Sequence, residues 1–351
     1  MTAPRQILEQ LLDGRDLSEE AAADLLSLLT APDLAPAMAG ALLAALRAKG
    51  VTADEVRGFA GAMRQLARKP SLPANHGGMD AIDIVGTGGD ASGSLNLSTG
   101  AALLAAACGL PVIKHGNRGI SSRCGSADLI EALGITLPLD EVGAAGCFAA
   151  TGFTFLFAPY YHPAMKALAP IRAALGVRTV FNLLGPLTNP GAPRYFLIGA
   201  YDAATAELIA ATLAGMQVER AWVVHGAAGW DEATPIGPFL TFDVAGRAIR
   251  QMEVDPREFG IARCASSELL GGDATTNFAA LLDVFEGRDR GPHREALVLQ
   301  CGIALHIAGR AQSIAAGIEA ARAAIDSGTA RSWLGQLQDF AAKRPASRGL
   351  A

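Results

Sequence analysis

Residues 83–99 read DIVGTGGDASGSLNLST, and the interpretation of this run decides the fold. Residues 82–85 before it form a short apolar stretch of strand type, and residues 99–108 after it are alanine- and leucine-rich and helical in type. The glycine-rich segment is therefore a strand-to-helix loop. In that place backbone N–H groups and a helix N-terminus converge on an anion. A structural turn needs fewer glycines and hydroxyls than stand here beside Asp90 and Asn96. Gly86 to Ala91 formally fits the G-x-G-x-x-[GA] pattern of dinucleotide sites. Ser92, Gly93, Ser94 and Asn96 prolong the loop, however, and no acid for a ribose diol lies about 20 residues beyond Gly86. A Walker A loop is excluded because no Gly-Lys-Ser/Thr follows. What remains is a long loop with hydroxyls (Ser94, Ser98, Thr99), an amide and a carboxylate, an inventory that suits a phosphorylated sugar with a metal.

Upstream, residues 3–68 carry apolar positions three and four apart (Ile7, Leu8, Leu11, Leu12; Leu25, Leu28, Leu29; Leu42, Leu43, Leu46), which predicts four short helices. Thr52 and Glu55 fit a capping box, and Lys69, Pro70, Pro73 and Asn75 mark the loop that ends the helical part. Downstream, short β-rich runs alternate with helices: 82–85, 99–108, 111–113, 126–133, 153–157, 195–200, 203–216 and 222–224. Such alternation predicts a mostly parallel sheet covered by helices on both sides. Residues 239–244 and 248–254 read as a hairpin, hence an antiparallel edge, and the last hundred residues are mostly helical. Two domains are expected: a small helical one over 1–70, joined by about 162–185, and a large α/β one over 71–161 and 186–351.

The 351 residues are 50% hydrophobic and 18% charged, with aromatics at 6%, so the core is built mainly from alanine and branched aliphatics. No stretch is long and apolar enough for a membrane span, and the N-terminus lacks signal-peptide order, so a cytoplasmic location is expected. Five scattered cysteines without a C-x-x-C pair suggest reduced, structural thiols. A net charge of −5 argues against binding along nucleic acid. A small anion needs only local donors, which Lys114, His115, Arg118 and Arg123 offer.

Residues 113–128, IKHGNRGISSRCGSAD, follow a strand and end at a helix start, and their cations and serines suit a second phosphate group. With GTGGD-x-x-x-[TS]-x-N-x-ST and KHGNR-x-x-SS-x-x-G-[SG]-AD both almost intact, the sequence resembles the anthranilate phosphoribosyltransferases. The likeness continues through FAPYYHPAMK (157–166), PIRAALGVRTVFNLLGPLTNP (170–190), VVHGAAGWDE (223–232), VDPREFGIA (254–262) and LLGGDATTN (269–277). It spans about residues 5–345.

The resemblance implies transfer of 5-phosphoribose from phosphoribosyl pyrophosphate (PRPP) to the amino group of anthranilate, by a magnesium-dependent homodimer with one or two Mg2+ per subunit. It puts PRPP at Gly86, Gly89, Asp90, Ser94, Asn96, Leu97, Ser98 and Thr99, and at Lys114, His115, Gly116, Asn117, Ser121, Ser122 and Ser126. Anthranilate falls to Gly86, Asn117, His162 and Arg172, the guanidinium suiting a carboxylate. Magnesium falls to Ser98, Asp231 and Glu232. Without the resemblance, Arg172 reads as a helix-surface charge and the two acids as solvated loop residues. Neither His115 nor His162 is assigned a proton-transfer role. Tyr160, Tyr161 and Met165 suit either a wall for the acceptor ring or ordinary packing.

Three departures from the usual pattern stand out: Ser94 for the commoner threonine, bulky Trp230 just before Asp231, and Gln300 where asparagine is frequent. Rival readings are a pyrimidine nucleoside phosphorylase of similar fold and a non-catalytic nucleic-acid-binding relative. The apolar stripes of helices 3–68 make them the expected dimer surface.

Overall fold

The computed structural model describes residues 3–72, 80–119 and 122–344. Ser121, Pro73 and Asn75 therefore lie outside the described residues. Four helices open the chain: α1 (Pro4–Leu12), α2 (Glu19–Leu29), α3 (Pro36–Lys49) and α4 (Ala53–Leu66). Their stripes bury Leu11, Leu25, Leu42 and Phe59 completely or nearly so. The capping box at α4 is formed, with Glu55 N–H on Thr52 Oγ1 (3.3 Å) and Thr52 N–H on Glu55 Oε2 (2.9 Å). Glu55 is itself fully buried: it also accepts from Leu17 N–H (2.9 Å) and pairs with Lys49 Nζ (3.0 Å).

The alternating part follows as β1 (Ile82–Gly86), α5 (Leu97–Ala107), β2 (Val112–Gly116), α6 (Ser126–Ala132), α7 (Glu141–Thr151) and β3 (Phe153–Phe157). Three helices, α8 (Ala158–Tyr161), α9 (Met165–Leu175) and α10 (Phe181–Leu184), break the alternation. Then come β4 (Tyr195–Gly199), α11 (Ala203–Leu213), β5 (Arg220–His225), β6 (Phe239–Ala245) and β7 (Ala248–Val254). The chain closes with α12 (Ala274–Phe285), α13 (Pro292–Ile307), α14 (Ile314–Asp326) and α15 (Thr329–Ala342).

The sheet has seven strands in the order β3-β2-β1-β4-β5-β6-β7. The first five are mutually parallel, and β6 and β7 add antiparallel partners at one edge. The hairpin turns through Gly246, whose φ of +58° suits the first position of a two-residue turn. Successive residues of β4 and β5 point to opposite faces, and two cores result. Leu197, Trp222 and Val224 join α5 and α13 on one side; Phe196, Ile198 and Val223 join α1 to α4 and α11 on the other. Leu168 and Phe181 belong to this second core, with Phe181 edge-on to Phe59 at 6.0 Å between centroids. The first three strands build outward from β1 on one side and β4 begins the other. The strand order thus reverses between β1 and β4, and in open α/β sheets the crevice at that point takes the ligand.

Candidate active site

At this reversal Gly86 pairs with Gly199, and Thr87 N–H continues the ladder to the Gly199 carbonyl (2.9 Å). The segment carrying Asp231 and Glu232 lies across both strand ends. A Cβ on Gly199 would stand 1.5 Å from the Asp231 carbonyl oxygen, and one on Gly86 would stand 2.3 Å from Asp231 Oδ2. Only glycine lets the acids approach so closely. Gly88 N–H donates to Asp231 Oδ2 at 2.6 Å, and Asp231 N–H donates to Asp90 Oδ2 at 3.3 Å. The acids distant in sequence therefore sit inside the glycine loop.

Both acids are nearly buried, at 8% exposure each. Burial, then the neighbouring Asp90 carboxylate, pushes Asp231 up to about 7. Burial and the adjacent Asp231 push Glu232 well above the ordinary carboxylate range. Glu232 Oε1 accepts from Ser98 N–H at the first turn of α5 (2.9 Å), while its buried Oε2 has no hydrogen-bond partner. Two crowded acids and an orphaned carboxylate oxygen are a donor set short of a cation, which magnesium would fit. Among the described residues no three His, Cys, Asp or Glu side chains are arranged to hold a metal ion. Trp230, just before the acids, is 5% exposed and packed in the first core.

Lys114 is buried beside them. Its ammonium donates to the Ile84 carbonyl; burial lowers its pKa, opposed by Asp83 and Glu232. Asp83, fully buried and raised to about 6 chiefly by burial, accepts from Asn189 Nδ2 (2.8 Å) and His115 N–H (3.4 Å). Asn189 Nδ2 also reaches the Ile113 carbonyl at 2.7 Å. These bonds tie β1 to β2 beneath the loops.

The start of α5 has no side-chain cap, because Asn96 turns elsewhere: its Nδ2 donates to the Cys124 carbonyl (3.0 Å) and its Oδ1 accepts from Asn277 Nδ2 (2.8 Å). Leu97 and Thr99 are buried at the start of α5. Ser94 Oγ meets Ser92 Oγ at 3.3 Å, and Ser94 bridges to Leu270. In the second loop Ser126 Oγ donates to the Asn117 carbonyl (3.2 Å), a contact that needs Gly116, whose Cβ would stand 2.2 Å from that hydroxyl. Asn117 and Ser122 are exposed.

Arg118 departs from the sequence reading. Its guanidinium is held by Asp128 (3.2 Å) and Glu131, so it is not a spare anion donor. Asp128 meanwhile ties Gly119 and Gly125 N–H groups. Tyr161 is also a core residue, fully buried with its hydroxyl on the Leu139 carbonyl (3.0 Å), and Tyr160 donates to Glu141 (2.8 Å). Packing accounts for Tyr161, whereas Tyr160 is only half-buried, with the Arg68 guanidinium over its ring.

On the side facing the N-terminal helices, the rings of His115 and His162 stand edge to face, 5.1 Å apart. Burial holds both neutral, lowering His115 to about 3 and His162 to about 4. Arg172, half-buried in the last turn of α9, lies over the Phe181 ring at 5.4 Å, and burial lowers its pKa. Neither Arg172 nor His162 is hydrogen-bonded to Asp90, Asp231 or Glu232. Gln300 is buried in α13 with its Nε2 unpartnered, away from any ligand role. Sequence reasoning missed Asp83, Asn189, Gly199, Arg178 and Asn277. Asp83, Arg178, Asn189 and Asn277 lie within the motif runs 83–99, 170–190 and 269–277, and Gly199 signalled itself as a glycine at a strand's carboxyl end.

Residues 5–67 match the helical bundle domain of a glycosyl transferase family, and residues 78–331 match its a/b domain. The anthranilate phosphoribosyltransferase of Rubrobacter xylanophilus is 42% identical over 98% of this chain and 99% of its own length. That of Desulforudis audaxviator is 44% identical over 96% of each.

The chain belongs to the anthranilate phosphoribosyltransferases.

Among solved structures, anthranilate phosphoribosyltransferase from Thermus thermophilus superimposes with a TM-score of 0.89 at 39% identity, covering 96% of this chain and 99% of that one. The Saccharomyces cerevisiae anthranilate phosphoribosyltransferase in complex with PRPP and Mg has a TM-score of 0.86 at 27% identity, covering 97% and 98%.

Proposed function

We propose that this chain transfers 5-phosphoribose from PRPP to the amino group of anthranilate, giving N-(5-phosphoribosyl)anthranilate and pyrophosphate, the second step from chorismate towards tryptophan. One observation carries the reading: Asp231 and Glu232 meet the glycine loop and the first turn of α5 where the strand order reverses. Backbone N–H groups suit a pyrophosphate, and crowded buried acids suit the cation that accompanies it. Relatives add support, since the yeast protein was solved with PRPP and Mg and also with 4-fluoroanthranilate.

In this reading Gly86, Gly89, Asp90, Ser94, Asn96, Leu97, Ser98 and Thr99 receive PRPP, with Lys114, Gly116, Asn117, Ser121, Ser122 and Ser126 taking its remaining phosphate oxygens. Ser98, Asp231 and Glu232 would hold one or two Mg2+, which when bound neutralise charge on the pyrophosphate. Asn117 and Arg172 orient anthranilate, the guanidinium matching its carboxylate. His162 lines the acceptor side and His115 stays with the PRPP set; with pKa values lowered by burial to about 4 and about 3 they are weak bases, and neither is assigned a proton-transfer role.

Little proton chemistry is needed. The amine nitrogen bonds to ribose C1 as the C1–O bond breaks, the electron pair leaves with pyrophosphate, and one of the two amine protons, acidified on the now cationic nitrogen, passes to water. Positioning and electrostatic stabilisation of the departing charge carry the rate. The transition state is oxocarbenium-like, and the configuration at C1 inverts.

The working unit is a homodimer formed through the N-terminal helices, where Leu12 stands 68% and Leu66 44% exposed. Among the described residues no helix is long and apolar enough to cross a membrane. The helical domain over 1–70, joined by 162–185, carries the acceptor side, and the α/β remainder carries the donor side. The test follows loss of anthranilate fluorescence on mixing protein, PRPP and magnesium. Turnover dependent on all three is expected; absence of turnover overturns the reading.

A further inference from the structure

Arg178, in the segment between α9 and α10, reaches the glycine loop from outside. Its Nη2 donates to the Gly89 carbonyl at 2.6 Å, and its guanidinium carbon lies 3.9 Å from the centroid of the Tyr201 ring. The backbone carbonyl of Arg178 accepts in turn from the Arg47 guanidinium on α3. Tyr201 is fastened to the same loop, its N–H donating to Thr87 Oγ1 at 3.3 Å. The exposed Arg178 guanidinium therefore holds a loop carbonyl through one N–H group and rests its face on an aromatic ring.

The loop needs such a hold. Gly88 and Gly89 have φ of +67° and +79°, and glycines in this region retain freedom that other residues lack. A trans peptide directs its C=O and the following N–H to opposite sides. Fixing the Gly89 carbonyl on Arg178 thus turns the Asp90 N–H away from the guanidinium. Asp90 is also the residue whose carboxylate accepts from Asp231 N–H. One bond sets both the N–H direction and the approach of the carboxylate pair. A Cβ on Gly89 would stand 3.0 Å from Arg178 Nη2, so the approach is as close as the chain allows.

We infer that Arg178 is a positioning residue that latches the Gly88, Gly89 and Asp90 turn in its phosphate-accepting shape, with Arg47 fastening the latch to the N-terminal helices. The inference rests on the PRPP reading and extends it: the position of the helical layer controls donor binding through a residue that does not touch the donor.

The test compares Arg178→Ala, Arg178→Lys and Arg47→Ala with the wild type, varying PRPP and anthranilate separately and recording thermal midpoints. A charge-assisted hydrogen bond is worth enough that Arg178→Ala should raise the KM for PRPP about tenfold. The kcat and the KM for anthranilate should stay within about twofold, a split that general loss of structure would not give. Arg178→Lys should recover part of the loss, because an ammonium can reach the carbonyl but stacks poorly. Arg47→Ala should raise the KM for PRPP by a smaller factor in the same direction.

An unchanged KM for PRPP in Arg178→Ala overturns the latch, as does an equal rise for both substrates. A silent Arg47→Ala beside a large Arg178→Ala effect also overturns it, by assigning Arg178 to direct donor contact. Wild-type turnover separates the two levels: without it the donor reading fails and the latch falls with it, whereas with it any of the three outcomes above removes the latch alone.

Discussion

Gly86→Ala probes how the two halves of the site meet. Gly86 does not have a positive φ, so alanine can adopt its backbone conformation. The added methyl, however, would stand 2.3 Å from Asp231 Oδ2 and 3.0 Å from Asp231 Cγ, where ordinary contact begins at 3.4 Å. The carboxylate must retreat by about 1 Å, and a misplacement of that size costs about a hundredfold in rate. The retreat also breaks the 2.6 Å bond from Gly88 N–H. Because a side chain, not backbone, gives way, the stability cost should stay at about 1–3 kcal/mol, the usual range for overpacking. The assay is kcat/KM for PRPP across a magnesium titration, with Asp231→Ala and the double variant alongside. The single variant should lose about a hundredfold and require more magnesium, and on the Asp231→Ala background the same methyl should add less than about threefold. A Gly86→Ala protein within about threefold of wild type at every magnesium concentration, or a full loss repeated on that background, would refute the reasoning.

Further outcomes follow from other residues. Arg172→Ala should raise the KM for anthranilate with PRPP binding nearly unchanged, and equal loss of both would remove Arg172 from the acceptor side. Glu55→Gln should lower stability by about 1–3 kcal/mol, the worth of a charge-assisted hydrogen bond, because Lys49 keeps Asp16 at 2.6 Å, and turnover at 25 °C should persist; chemical denaturation reads the change. His115 and His162 have folded pKa values depressed by burial to about 3 and about 4, below the unfolded value of 6.5. Between those values the unfolded chain binds more protons, so their contribution is complete above pH 6.5 and is lost as pH falls from 6.5 towards 4. Thermal midpoints should drop over that window, and His162→Asn should flatten the drop; an unchanged slope in the variant would count against neutral, buried rings.

Much of the fold was legible because it is written in local pattern. The stripes of Leu25 and Leu42, the Thr52 and Glu55 cap and the hairpin around Gly246 each need only near neighbours. The strand β2 was read short, ending at residue 113, because Lys114 and His115 look like surface residues. They are buried only because Ile84, Asp83 and Gly185 supply partners from elsewhere. Long-range contacts explain the other gaps. Asn277 finds Asn96 across 181 residues, and Arg178 finds Gly89 across 89, with nothing in either neighbourhood to announce it. Arg118 was taken for an anion donor because Glu131 lies 13 residues on, where only the α6 turn brings it back. The glycine loop itself was legible from placement, whereas its union with Asp231 and Glu232 came from resemblance and took physical form only through Gly86 and Gly199.

The central claim is that PRPP gives its phosphoribosyl group to anthranilate in this cleft. The most direct measurement counts pyrophosphate released per anthranilate consumed by the purified protein with PRPP and magnesium. The account predicts a one-to-one ratio, with both rates abolished together by chelation of the metal and sharply reduced together in Glu232→Gln. Cleavage of a pyrimidine nucleoside with consumption of inorganic phosphate, and no pyrophosphate from PRPP and anthranilate, would contradict it.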